Sequence, residues 1–150
     1  MLYNAVMTIY QSLQVLAATG CGIQIGSFLL LSLYHKPIFA HWPEDISLLG
    51  LFQRFYRFNI LIAVSSGILA IFAENREAGF LLAILGMSHV LLLTQLLPSM
   101  RHSHQLIGQK YSQIRRRSPK EILSLLQKLQ ITVHFSQLLL LIYLVVQLLR

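Results

Sequence analysis

Charge is absent from this chain in blocks long enough to cross a bilayer. No Asp, Glu, Lys or Arg precedes Lys36, and further charge-free stretches run from Phe58 to Ala73, Ala78 to Met100 and Leu129 to Leu149. A helix needs about 20 apolar residues to traverse a hydrocarbon core about 30 Å thick. The first, third and fourth blocks meet that length unaided. The second, with 16 residues, rises only about 24 Å, so its helix must begin earlier and carry Arg57 and Arg54 near one end. Long arginine stems can lift their guanidinium groups to the headgroups from there. Only 11% of the residues are charged, against about 25% in a soluble domain. The expectation is an all-α integral membrane four-helix bundle, a single domain over residues 1–150.

The basic residues predict its orientation. Segments 35–57 and 101–128 hold ten of the 12 Lys and Arg residues, and Arg76 and Arg150 are the other two. The positive-inside bias then puts both segments in the cytoplasm and both termini outside. Topology thus accounts for the net charge of +7, and nucleic acid is not an expected partner. The opening "MLYNAVMTIYQSLQ" lacks the basic region and cleavage site of a secretory signal, and reads as the retained start of the first helix. Arg115, Arg116, Arg117 and Lys120 form a patch for anionic lipid, each basic residue contributing about 1 kcal/mol near the leaflet. That patch also makes Ser118 a candidate kinase target, although a helix cap explains the serine more simply.

Punctuation places the helices at about 8–34, 43–73, 78–97 and 119–149. Pro37 and Pro98 are expected to stop the first and third. Pro43 with Glu44 and Asp45 suits the start of the second, and "SPKE" at 118–121 suits a capping box before the fourth. Helices 2 and 4 are then long enough to extend into the cytoplasm. "PEDISLL" and "PKEILSLL" look alike, so the two hairpins read either as an internal repeat or as two helices obeying one capping chemistry.

Histidines and glutamines are the candidates for chemistry. His35, His41, His102 and His104 share the cytoplasmic face, where imidazoles can bind copper or zinc or stay solvated. His89 and His134 lie inside the membrane, as haem ligands or as interhelical hydrogen-bonding groups. Counted along their spans, the two differ in depth by about 9 Å, more than a bis-histidine haem tolerates. Gln130, His134 and Gln137 share one face of the last helix, and Gln14, Cys21 and Gln24 one face of the first. These stripes line a polar cavity or serve as glue between helices. Ala18, Gly22 and Gly26 form a small-residue ladder, repeated by Ala63 and Gly67, which predicts contact between helices 1 and 2 or self-association. The single Cys21 forms no internal disulfide. No nucleophile–base arrangement or phosphate loop is present, so an enzyme is not the expectation.

"GSFLLLSLYHKPIFAHWPED", followed by "LFQRFYRF", resembles the first hairpin of an uncharacterised four-helix bacterial membrane family. Gly26, Phe28, Pro37, Phe39, Pro43 and Asp45 carry the likeness. "LPSM" and "LQITVHFSQLLLLIY" resemble that family's last two elements. It is distantly similar to the CopD-type copper-resistance proteins and the HemJ-type membrane haem-pathway oxidases. The resemblance implies a four-span bundle in an inner membrane, with copper or haem as possible cofactors and none as the simpler expectation. The early histidine of those relatives is absent from the first helix, where Gln14 is the nearest polar residue. An accessory or assembly subunit packed against other membrane subunits is the favoured expectation, and a binder or carrier of a metal, haem or small solute is the alternative.

Overall fold

The computed structural model describes residues 2–40, 47–107 and 119–150. Helix α1 spans Leu2–Ala40 and α2 spans Ser47–Phe72. Helix α3, Arg76–Leu91, passes through a π-helical turn at Leu92–Leu96 into α4, Leu97–Ile107, and α5 spans Pro119–Leu149. Four stretches are long and apolar enough to cross a membrane: Ala5–Leu31, Leu49–Phe72, Arg76–Ser103 and Lys120–Leu149. Only 22% to 39% of the residues in these windows are buried inside the bundle. The outward faces carry side chains such as Leu61, Phe72, Phe80 and Phe135, which demand lipid as solvent. The chain is a multi-pass membrane protein built as an all-α four-helix bundle.

Two proline stops predicted from the sequence do not hold. Helix α1 continues through Pro37 to Ala40, and the third span continues through Pro98 to Ile107. A proline lacks an N–H and its ring crowds the carbonyl four residues back. In the third span the backbone widens just before Pro98, and Leu97 N–H bonds to the Leu92 carbonyl, five residues earlier. The π turn makes room for the ring without ending the helix. Helix also occupies residues 47–57 and 119–128, within the bounds expected for helices 2 and 4, and residues 101–107, beyond the expected end of helix 3. His41, Pro43, Glu44, Asp45, Arg115, Arg116, Arg117 and Ser118 lie outside the described residues.

The α2–α3 reversal takes three residues, Ala73 to Asn75. Glu74 adopts the left-handed conformation, φ 59°. Its N–H bonds to the Ile71 carbonyl at 3.0 Å and that of Asn75 to the Ala70 carbonyl at 2.9 Å, which is a Schellman closure of α2. Asn75 then caps α3 by accepting from Ala78 N–H at 3.1 Å. Two clasps tie the outer helices to this turn. Tyr10 donates to Glu74 at 3.2 Å, and Tyr143 donates to Glu77 at 3.1 Å.

Each helix packs on its sequence neighbours, and the ring closes where α1 meets α5. The seam between α2 and α3 is made by small residues. A Cβ on Gly79 would collide with Ile71 and lie 3.3 Å from the Gly67 carbonyl, and one on Gly86 would touch Ala63 at 3.6 Å. Ala63 and Gly67 therefore serve contact with α3, where the sequence had suggested helix 1. Helix α1 approaches α2 through Gly20, whose added Cβ would overlap Ser66. Gly22 and Gly26 have nothing among the described residues within 4 Å of an added Cβ, whereas Ala18 is buried.

Candidate functional site

The bundle interior has an apolar cluster at each end. One lies toward the α2–α3 turn and includes Ala17, Ala70, Ala78, Leu82 and Leu144. The other lies toward the opposite end and includes Leu49, Phe52, Leu96, Met100 and Leu123. Between them is a polar layer. Gln24 from α1, Asn59 from α2, His89 from α3, and Gln130, His134 and Gln137 from α5 are all buried. Tyr56, fully buried on α2, belongs to the same layer. None of the buried polar residues among those described is a carboxylate, Lys or Arg.

The hydrogen bonds in this layer run one way. Gln24 Nε2 donates to the Asn59 carbonyl at 3.1 Å. Gln137 Nε2 donates to Ser88 Oγ at 2.6 Å, and Ser88 passes its own proton to the Leu85 carbonyl at 2.7 Å. His89 Nδ1 lies 2.8 Å from the same carbonyl. A carbonyl can only accept, so the His89 proton is on Nδ1 and Nε2 is a bare lone pair. Gln130 Nε2 donates to the Tyr56 hydroxyl at 2.7 Å, and that hydroxyl is hydrogen-bonded to His134 Nε2 at 3.0 Å. Each of these three glutamines is bonded through its amide nitrogen. What is left over is His89 Nε2 with Gln24 Oε1, Gln130 Oε1 and Gln137 Oε1, all buried and without a partner. An unmet buried acceptor costs about 1–3 kcal/mol, so four of them in one layer are a substantial cost.

The two histidines share a level. Phe28 lies 5.8 Å from His89 and 5.3 Å from His134, ring centroid to centroid. Tyr56 lies 6.1 Å from the first and 5.6 Å from the second. The depth difference counted along the sequence disappears because the third span runs past Pro98. Haem nevertheless does not fit. The rings of Phe28 and Tyr56 pack against both imidazoles, and His134 Nε2 is engaged by the Tyr56 hydroxyl. Among the described residues no group of three His, Cys, Asp or Glu is placed to hold a metal ion. Of the four histidines expected on the cytoplasmic face, His102 is exposed on α4. The side chains of His35, His41 and His104 lie outside what is described. Lys120, from the predicted lipid patch, is exposed at the start of α5.

The sequence stripes and the layer overlap in part. Gln24, Gln130, His134 and Gln137 enter it, whereas Gln14 is half-buried outside it and Cys21 sits in the apolar cluster. Tyr56, Asn59 and Ser88 escaped the sequence reading. Tyr56, Asn59, Ala63 and Ser66 recur at three, four and three residues, and that stripe of small and polar residues on α2 was the available signal. Comparison of the chain with family models, curated proteins and solved structures returns no match.

Proposed function

We propose that this protein binds, within the membrane, a small ligand that brings hydrogen-bond donors to the polar layer. The observation that supports this is the set of four buried acceptors with no donor facing them. A ligand bearing hydroxyl, amine or amide N–H groups meets these lone pairs. An inorganic anion or a carboxylate would bring further acceptors and no donor to these lone pairs. The apolar clusters at either end separate the layer from both aqueous faces, so a lipid-soluble ligand is favoured. In this reading His89 Nε2, Gln24, Gln130 and Gln137 accept from the ligand, while Tyr56 and Ser88 hold the glutamines in place.

His89→Phe tests the proposal, because it keeps a ring of similar shape and deletes one orphaned lone pair. A ligand that binds only the folded protein adds stability as RT ln(1 + [L]/Kd). The variant, purified in mild detergent beside the wild type, is expected to lose a small donor-bearing species seen by native mass spectrometry and to melt lower. If neither protein retains such a species and the variant melts higher, the layer is an unliganded core relieved of a polar defect, and the proposal fails.

A second reading is supported by Gly22 and Gly26. Among the described residues nothing lies within 4 Å of a Cβ added at either position of this GxxxG, and small residues of this kind let a neighbouring helix approach closely. Under it the protein is an accessory or assembly subunit held to other membrane subunits, with both termini outside in an inner membrane. Joint Gly22→Ile and Gly26→Ile substitution is expected to release the chain from its assembly while leaving its own melting point unchanged. Normal assembly of the double variant would remove this reading.

A further inference from the structure

On the lipid-facing side of the bundle, α1 and α2 diverge to form a groove of about 490 Å³. Leu30, Leu51, Phe55 and Phe58 line it, with Ser27 and Arg54 as its polar members. Arg54 is exposed and lies five residues inside the Leu49–Phe72 span, roughly 7 Å from its end at 1.5 Å per residue. From that depth a long arginine stem lifts its guanidinium to the headgroup level, where anionic groups are its partners. Arg57 is also exposed one turn further on, but it does not line the groove.

We propose that this groove is a binding site for one anionic phospholipid. The acyl chain lies along Leu30, Leu51 and Phe58, and the headgroup phosphate meets Arg54. Guanidinium offers paired N–H donors that match phosphate oxygens, and the apolar floor accepts the chain where a free anion would find nothing. The site is independent of the polar layer, since it uses none of the orphaned acceptors.

Native mass spectrometry of the full chain in non-ionic micelles tests it, with phosphatidylglycerol and phosphatidylcholine of identical chains as probes. The wild type is expected to retain phosphatidylglycerol about fivefold over phosphatidylcholine, the preference that one basic side chain confers at an anionic surface. Arg54→Gln should erase the preference, Leu30→Trp should reduce retention of both lipids by filling the groove, and Arg57→Gln should change neither. Equal retention of the two lipids by the wild type would overturn the proposal. A preference that survives Arg54→Gln, or that Arg57→Gln abolishes equally, would also overturn it by assigning the effect to diffuse surface charge. Displacement of the lipid by millimolar inorganic phosphate would do so too, by making the site one for a free anion.

Discussion

Tyr56 joins α2 to α5 through a single oxygen atom, which accepts from Gln130 and is hydrogen-bonded to His134. Tyr56→Phe strands both partners inside the bundle. Its expected cost is about 1–3 kcal/mol, read by denaturant titration in mixed micelles. Adding His134→Phe removes one stranded group, so the pair should be less damaging than the sum of the single variants by at least about 0.5 kcal/mol. Strict additivity would mean the hydroxyl does not couple to the imidazole. Gln130, His134 and Gln137 of α5 were legible in the sequence because polar groups in a hydrocarbon span are costly, and spacings of three and four residues put them on one face. Their partner was not. Tyrosine is at home both at the interface and in the core, and in "RFYRF" the flanking arginines suggest the interface.

At the scale of helices, glycine position separates two kinds of packing. Gly79 faces Ile71 and the Gly67 carbonyl at contact distance, while Gly22 faces open space. Gly79→Ala is therefore expected to destabilise by about 1–3 kcal/mol through overpacking, and Gly22→Ala to fall within about 0.5 kcal/mol of wild type. Comparable losses at both positions would contradict the assigned seam. The number of helices followed from charge exclusion, because a charge in the hydrocarbon is too costly to be scattered at random. Their ends did not follow. Pro37 and Pro98 stop helices in water, where freed carbonyls find solvent, but near a bilayer core a broken helix leaves them unmet. Widening one turn before Pro98 is the less costly solution. A small-xxx-small ladder likewise marks a face fit for close approach without naming the helix that approaches, which is why Ala63 and Gly67 were matched to the wrong neighbour.

For the molecule as a whole, the bundle is closed around its interior, and Cys21 reports on that closure. It is a free thiol buried at 0% exposure. A water-soluble maleimide should label it slowly in the native protein and fully after denaturation in SDS. Rapid native labelling would show that water reaches the first apolar cluster, and with it the layer beneath. Closure also has an order in time. The α2–α3 seam joins neighbours across a three-residue reversal, whereas Ala17 and Leu144 share one cluster from opposite ends of the chain. Short loops cost less entropy to close and form sooner. A fragment ending at Ile107 is expected to keep slow amide exchange around Gly67 and Gly79, and fast exchange there would refute that order. Of the four spans α5 is made last and brings Gln130, His134 and Gln137, so during biogenesis the polar layer stays open on one side until α5 docks. Under the proposed ligand-binding function, an occupant is taken up by the half-built protein and enclosed as the ring shuts, so that loading becomes a step of maturation and not of everyday exchange with the membrane.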